Sequence, residues 1–272
     1  SDAVDYFKQG GTAEGLRDLI QDEPPWGENG YTDDELDLVS MADVQPVSIR
    51  WLWGGRLAKG KLTVIMGDPG LGKSLLATYC AAQVSRGGEW PDGETCELGN
   101  AIIMTAEDGL EDTVRPRLDA AKANVSQVAA IRGVKKKKGE TEERTDRMFR
   151  LSEDIGKLER AIKKKKATLV FLDPIAAYLG PDVNANSDPE VRSVLGPLAA
   201  MAERTGVCVI MVMHLNKGTS VNALYRAAMS IAFVAQARVV LGVVPDPNDK
   251  ERNLLLPVKI NVAAPGPGLG YR

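Results

Sequence analysis

The stretch "GDPGLGKS" at residues 67–74 has the residue types and the spacing of a phosphate-binding loop. Its glycines allow successive backbone N–H groups to turn towards one anion, and a helix beginning near Lys73 would present its positive dipole end there. In such a loop the lysine reaches the β- and γ-phosphates of a nucleotide, and the Ser74 hydroxyl ligates Mg²⁺. The residues expected to contact the nucleotide are Gly67, Asp68, Pro69, Gly70, Leu71, Gly72, Lys73, Ser74 and Leu75.

A carboxylate that could complete a magnesium site follows a second apolar run. In "KATLVFLDP" the apolar residues 169–172 lead directly into Asp173. Open α/β sheets bind ligands at the carboxyl ends of their strands, and a carboxylate buried there without a counter-charge would be costly. We therefore expect Asp173 to lie on a strand neighbouring that of the phosphate loop and to hold Mg²⁺ together with Ser74.

Two more strand-like runs end in side chains that could do chemistry. "AIIMTAEDG" ends in Glu107 and Asp108, and "CVIMVMH" ends in His214, the single histidine of the chain. An acid in this place could activate a water molecule, or it could simply begin the helix predicted in "GLEDTVRPRL". The histidine taken alone could equally be a core or edge residue that is hydrogen-bonded to the backbone.

Strand-length apolar runs alternate with helical patterns from about residue 49 onwards. The apolar runs are "KLTVIMG", "NAIIMTAED", "ATLVFLD", "VCVIMVMH", "ARVVLGVVP" and "NLLLPVKINV". Helical patterns cover residues 73–86, 110–123 and 189–204 and the stretch "EDIGKLERAIKKKK". Continuous apolar strands that alternate with helices indicate a doubly wound, mainly parallel α/β sheet with helices on both faces.

Composition divides the chain into three parts. Residues 1–24 predict a short N-terminal helical extension, with Thr12 as the N-cap of its second helical piece. Residues 25–48 are acidic and rich in proline and glycine, as linkers are. Residues 49–272 form the α/β domain.

Charge and cysteine content narrow the classes of function. The 272 residues carry a net charge of −3, so no overall basic field attracts nucleic acid or an acidic membrane. We interpret the lysine runs 135–138 and 163–166 as solvated faces, the first within a polar excursion and the second closing a helix. The cysteines, Cys80, Cys96 and Cys208, have neither CxxC nor metal-ligand spacing. No apolar run approaches the roughly 20 residues of a membrane span, which predicts a cytoplasmic protein without a membrane partner.

Two classes of phosphate-loop protein fit poorly. A GTPase would carry an NKxD motif, and "NKGT" at 216–219 has a threonine where the aspartate should stand. A small-molecule kinase would usually lack a carboxylate dedicated to activating water, for which Glu107 is the candidate.

The motifs together resemble those of RecA-like ATPases, and among these the hexameric replicative helicases of the RepA/DnaB type, above all the RepA-like branch. They are "GDPGLGKS", "TAEDG", "LVFLDPIAAYLG", "MVMHLNKG" and "ALYRAAMSIAFVAQARVVLGV", in the family's order over about residues 50–265. The resemblance implies a RecA-like fold, ATP and Mg²⁺, a homo-oligomer in the form of a hexameric ring, and single-stranded DNA as a partner.

The resemblance also implies roles for individual residues. Glu107 is the general base, and His214 is the residue that senses the γ-phosphate and relays its presence to the loop that follows. That loop, "LNKGTSVNALYRAAMS", faces DNA through Lys217 and Arg226, and "GPDVNANSDPE" lies beside it. Arg238 matches the arginine finger that a neighbouring subunit supplies, with Lys259 as the alternative.

Two points stay open in the sequence. "VDYFKQGGTAEGLRDLI" is similar to the closing segment of TOPRIM modules in primases fused to helicases, but an oligomerisation arm fits it equally well. A RecA-fold ATP-binding regulator that never touches nucleic acid and a recombinase-like filament protein are the alternatives to a helicase.

Overall fold

The computed structural model describes residues 39–137, 144–215 and 231–272, together with Phe7, residues 10–15 and Arg17. The chain separates into two compact units, Ser1–Val47 and Ser48–Arg272. In the first unit, residues 13–15 are helical, and the Thr12 hydroxyl accepts a hydrogen bond from the Gly15 N–H at 3.1 Å. The predicted N-cap is therefore present. The rest of the predicted extension and residues 25–38 of the predicted linker lie outside the described residues.

The second unit is built from short and medium strands and five α-helices within the described residues. The strands are β1 (Trp51–Trp53), β2 (Leu57–Ala58), β3 (Leu62–Gly67), β4 (Asn100–Thr105), β5 (Val128–Ala130), β6 (Val134–Lys137), β7 (Arg144–Arg147), β8 (Ala167–Asp173), β9 (Cys208–His214), β10 (Val239–Asp246), β11 (Asp249–Ile260) and β12 (Leu269–Tyr271). The helices are α1 (Lys73–Arg86), α2 (Arg115–Ala120), α3 (Leu151–Lys165), α4 (Asp188–Thr205) and α5 (Ala232–Gln236). A π-helical turn, Leu110–Val114, precedes α2, and two 3-10 turns are Val125–Gln127 and Ile175–Tyr178.

Eight strands form one sheet in the order β12-β11-β10-β3-β9-β8-β4-β5. The pairs from β10 to β5 are all parallel, whereas β11 and β12 pair antiparallel at one edge. The predicted mainly parallel sheet is thus confirmed. The last predicted apolar run continues the sheet in the antiparallel direction, because a tight turn joins β10 directly to β11.

Helices cover both faces of the sheet, which explains why its strands are apolar at successive positions. Val64 and Met66 of β3 face a core that includes Leu158 of α3 and Leu198 of α4. Ile65, between them in sequence, faces the opposite core, which includes the buried side of α1. Because both faces are buried, each strand keeps apolar side chains on both of its sides. No helix among the described residues is both long and apolar enough to cross a membrane.

Two antiparallel ribbons outside the main sheet were not predicted. The ribbon β1–β2 lies where the sequence showed no alternating pattern, and the stacked rings of Trp53 and Trp90, 4.6 Å apart, pack it into the core. The ribbon β6–β7 includes residues of the first lysine run, so the prediction of an irregular polar excursion there was wrong. Its return strand is fixed because Arg147 donates two hydrogen bonds, of 2.7 and 2.8 Å, to the buried carboxylate of Asp154 on α3.

Candidate active site

Four adjacent parallel strands end at one edge of the sheet, and the predicted site residues lie at these ends. The strand β3 ends at Gly67, β9 at His214, β8 at Asp173 and β4 at Thr105. Gly67 pairs with His214, and Thr105 pairs with Asp173. Topology therefore brings the phosphate loop, the candidate magnesium carboxylate, the histidine and the acidic pair after β4 to one crevice.

One detail of the predicted arrangement was wrong. Asp173 was expected on a strand next to β3, but β9 lies between β3 and β8. The carboxylate still reaches the loop, because the Ser74 hydroxyl at the start of α1 donates a hydrogen bond to it. The strand that intervenes is the one that ends in His214, so the histidine lies between the loop and the carboxylate.

The backbone of the phosphate loop has the conformation that an anion site needs. Gly70 has a φ of +81° and Gly72 a φ of +77°, values that side chains disfavour. No atom lies within 4 Å of the place where a Cβ atom of Gly70 would be, so the inside of the loop is open. Gly67 is needed for a different reason, since a Cβ atom there would lie 2.5 Å from the carbonyl oxygen of Val243.

Lys73 is buried within this loop and is held by it. Its Nζ donates a hydrogen bond of 2.8 Å to the carbonyl oxygen of Asp68, and only 4% of the residue is exposed. Burial lowers the pKa of Lys73 below its ordinary value, while the carboxylates of Asp173, Asp68 and Glu107 oppose this shift. The ammonium group thus lies among acidic groups, in reach of the position where a phosphate would enter.

Asp173 is the buried acid of the cluster. Burial raises its pKa above the ordinary value, and the charges of Asp108 and Glu107 raise it further, whereas Ser74 and His214 oppose the shift. An excess of negative charge in a buried crevice fits a cation. Among the described residues no three His, Cys, Asp or Glu side chains are grouped to hold a metal by themselves. This donor set fits Mg²⁺, which binds through one or two protein oxygens and completes its shell with phosphates and water.

Glu107 and Asp108 differ in what they contact. The Asp108 carboxylate accepts a hydrogen bond of 2.6 Å from Arg117, and its backbone N–H donates to the Thr105 hydroxyl at 3.1 Å. Glu107 is exposed and makes no hydrogen bond or ion pair with another described residue. Of the two acids, only Glu107 is therefore available to a water molecule. The sequence analysis missed Arg117, because no local pattern links it to Asp108 across the intervening π-helical turn.

His214 has an unused nitrogen. Its Nδ1 atom is buried and has no hydrogen-bond partner among the described residues, which is costly unless a ligand or another group supplies one. The next residue, Leu215, donates its N–H to the carbonyl oxygen of Gly67 at 3.2 Å, which joins the end of β9 to the end of β3. Lys217 and Arg226, the candidate nucleic-acid contacts, lie outside the described residues.

Arg238 and Lys259 lie at the opposite edge of the sheet. The Arg238 N–H donates to the carbonyl oxygen of Leu62, at the start of β3, and its side chain is exposed. The Nζ of Lys259 donates to the carbonyl oxygens of Val234, Ala235 and Ala237 at 2.8, 3.0 and 2.9 Å. All three protons of that ammonium group are thus used at the end of α5. Of the two candidates for an arginine-finger role, Arg238 is the one that is free to reach a neighbouring chain.

We expect Asp173→Asn to stabilise the ligand-free protein. A carboxyl group whose pKa is raised on folding binds its proton more tightly when folded, so its ionisation lowers stability as pH rises through that range. At neutral pH the amide removes this penalty, which we expect to raise the melting temperature by about 2–4 °C for about 1 kcal/mol. The same substitution should abolish the further rise that Mg²⁺ and nucleotide together cause in the unsubstituted protein. Thermal melts at about pH 7.5 with and without both ligands measure this, and a lowered ligand-free melting temperature would contradict it.

Comparisons with known proteins agree with this geometry. Residues 32–220 match the AAA_25 family of AAA domains. The chain is 25% identical over 168 residues to the DNA repair protein RadA of Halalkalibacterium halodurans, and 24% identical over 171 residues to that of Bacillus subtilis. These matches cover 60% and 62% of this chain but only 30% and 31% of the relatives' length. Among solved structures, the ATPase domain of a helicase superposes with a TM-score of 0.54 at 14% identity, covering 78% of this chain and 81% of that one.

The fold and the phosphate loop therefore define a P-loop ATPase with a RecA-like fold. Within that class, the chain belongs to the AAA_25 family, whose match includes the loop and the strands β3, β4, β8 and β9.

Proposed function

We propose that this ATPase is the motor of a ring-forming replicative DNA helicase that hydrolyses Mg·ATP while acting on single-stranded nucleic acid. The observation that carries the proposal is the meeting of Lys73, Ser74, Asp173, Glu107 and His214 at the carboxyl ends of β3, β9, β8 and β4. The name of the curated relatives, DNA repair protein RadA, supports DNA as the partner.

In the proposed reaction each group has one task. Glu107 accepts a proton from the attacking water as the water oxygen bonds to the γ-phosphorus of ATP. The bond between the γ-phosphorus and the bridging oxygen breaks, which leaves ADP and inorganic phosphate. Lys73 and the loop N–H groups bind the β- and γ-phosphates. Ser74 and Asp173 would hold Mg²⁺, which neutralises charge on these phosphates, and His214 would donate from its unused nitrogen to the γ-phosphate.

The positions of Arg238 and the phosphate loop support a site shared between subunits. They lie at opposite edges of one sheet, so Arg238 cannot serve the loop of its own chain. A head-to-tail contact would bring one chain's Arg238 edge to the next chain's loop, and such heterologous contacts generate rings or filaments. We therefore propose a homo-oligomer, a hexameric ring, in which Arg238 of a neighbouring subunit completes the site.

One described loop favours a second candidate function. Residues 180–190 include Asp182, Asp188 and Glu190 and no lysine or arginine, and the Glu190 carboxylate accepts a hydrogen bond of 2.7 Å from the Asn184 N–H. Such an acidic loop repels a phosphate backbone. A RecA-fold regulator that assembles on ATP without nucleic acid fits this loop better. Under the helicase proposal, DNA contact depends on Lys217 and Arg226.

Stimulation of ATP hydrolysis by single-stranded DNA distinguishes the two candidates. We expect DNA to raise turnover and to bind with an affinity that falls with salt, because phosphate contacts release counterions. Replacing Lys217 and Arg226 together with alanine should remove the stimulation and leave the DNA-free rate unchanged. Lys164→Ala, on the exposed last turn of α3, is the matched loss of a positive charge and should change neither. A rate that DNA does not affect at any salt concentration would favour the regulator, and electron microscopy with nucleotide would separate a ring from a filament.

A further inference from the structure

An apolar cavity of about 210 Å³ opens next to the phosphate loop, and the proposed chemistry does not use it. Its lining residues are Leu75, Leu76, Tyr79, Pro91, Tyr271 and Arg272. Leu75 directly follows the candidate magnesium ligand Ser74 on α1, so the cavity begins one residue beyond the phosphate site. A group attached to a bound phosphate through a sugar would therefore reach it.

Tyr271 joins this cavity to the loop. Its hydroxyl donates a hydrogen bond of 2.7 Å to the carbonyl oxygen of Leu71, and its ring lies 3.6 Å from the place where a Cβ atom of Gly72 would be. Burial raises the pKa of Tyr271 to about 12, so the hydroxyl keeps the proton that it donates. The short edge strand β12 thus places an aromatic ring at the wall of the cavity and a hydrogen bond on the loop at once.

The polar tips of the lining side chains are already hydrogen-bonded to the protein. The Tyr271 hydroxyl is bound to Leu71, the Tyr79 hydroxyl accepts a hydrogen bond from Gln83, and the Arg272 guanidinium donates to Asp249 at 2.8 Å. The remaining lining side chains, Leu75, Leu76 and Pro91, are apolar. The cavity therefore offers apolar and aromatic surface but no uncommitted side-chain group that could read the edge of a nucleobase.

We propose that this cavity holds the base of the bound nucleotide by stacking and apolar contact, without reading the base edge, so that the enzyme hydrolyses all common nucleoside triphosphates. The inference rests on the proposed hydrolysis of a nucleotide at the phosphate loop and names how that site selects its substrate. Sites that hydrogen-bond a substrate group reject analogues that lack it by about 10⁴–10⁵-fold, whereas contact surfaces discriminate far less. Because every base has an aromatic face, stacking tolerates any of them and favours the larger purines.

The test compares four nucleotides and one phosphate chain without a base. We expect the kcat/KM values for ATP and GTP to lie within about tenfold of each other, with CTP and UTP about tenfold lower because a pyrimidine covers less surface. Tyr271→Leu should weaken ADP binding about tenfold, as loss of one stacking contact does, and leave the affinity for inorganic tripolyphosphate unchanged. Tyr271→Phe keeps the ring and loses only the hydrogen bond to Leu71, so it should bind ADP like the unsubstituted protein.

Leu75→Ser is a second variant, at an exposed position of α1, which keeps the test decisive if changes at β12 impair folding. It too should weaken ADP binding and spare tripolyphosphate. A preference for ATP over GTP above about 100-fold would overturn the inference, because apolar contact cannot supply it. Equal loss of ADP and tripolyphosphate affinity in both Tyr271→Leu and Leu75→Ser would also overturn it. If the unsubstituted protein bound neither ligand, the proposed nucleotide hydrolysis itself would be wrong, which is a different result from altered selectivity.

Discussion

The variant Glu107→Gln should bind nucleotide normally and hydrolyse it about 10²–10⁴-fold more slowly, the range that a general base contributes. Glu107 is exposed just after β4, makes no hydrogen bond or ion pair with another described residue and lies close enough to Lys73 to affect its pKa. The amide keeps the size and the backbone of this residue but cannot accept a proton from water. Single-turnover hydrolysis and a separate measurement of nucleotide affinity distinguish lost chemistry from lost binding.

The neighbouring acid provides the matched control. Asp108 is held by Arg117, with 25% of its side chain exposed, and we assign it to positioning the loop after β4. Asp108→Asn retains an oxygen that can accept from Arg117, so turnover should fall by less than about tenfold, the loss of one partly exposed ion pair. If Asp108→Asn lost turnover and Glu107→Gln did not, the two acids would have the opposite roles.

The second large effect is expected at the far edge of the sheet. Arg238→Ala should leave nucleotide binding intact and lower turnover by about 10³–10⁵-fold, the contribution of an arginine finger to phosphoryl transfer. Its guanidinium is exposed and makes no hydrogen bond with another described residue. Lys61 is a suitable control because it lines the same small cavity as Arg238 and is paired with Glu203 at 2.7 Å. Lys61→Ala should change turnover by less than about twofold, as exposed ion pairs contribute little.

Mixing variants tests whether the arginine acts between chains. Arg238→Ala and Lys73→Ala subunits are each inactive as pure preparations under this proposal, but a mixed assembly contains contacts where an intact loop meets an intact Arg238. We expect activity to appear on mixing and to depend on total protein concentration, since the complete site exists only in the assembly. Absence of rescue at every ratio, or full turnover by isolated chains, would contradict a shared site.

Much of the site could be predicted because its signals are local. The phosphate loop is one continuous segment, and its glycines, lysine and serine define both their own backbone and their ligand. The strands ending at Gly67, Thr105, Asp173 and His214 could be read from apolar runs, because a strand buried on both faces has no polar interruption until it leaves the sheet. Their common edge then followed from the rule that parallel strands end together.

The tertiary structure decided what depends on contacts between distant segments. The sequence did not tell that β9 lies between β3 and β8, since strand order is set by pairing across the sheet and not by position along the chain. Nor did it distinguish Glu107 from Asp108, or Arg238 from Lys259. Residues of equal charge become distinct only when one of them is bound by a partner, as Asp108 is by Arg117 and Lys259 by the end of α5.

The apolar cavity beside the loop is the clearest case of this division. Tyr271 lies 200 residues from Leu71 in sequence, and no motif connects them. The pair forms because β12 adds to the edge of the sheet that holds the loop, which carries the tyrosine to it. The sequence by itself therefore determined where phosphates and a cation bind, through short-range patterns of residue type. Only the folded chain decided which like-charged groups are free to react and what surrounds the rest of the nucleotide, because those properties arise from packing between segments far apart in sequence.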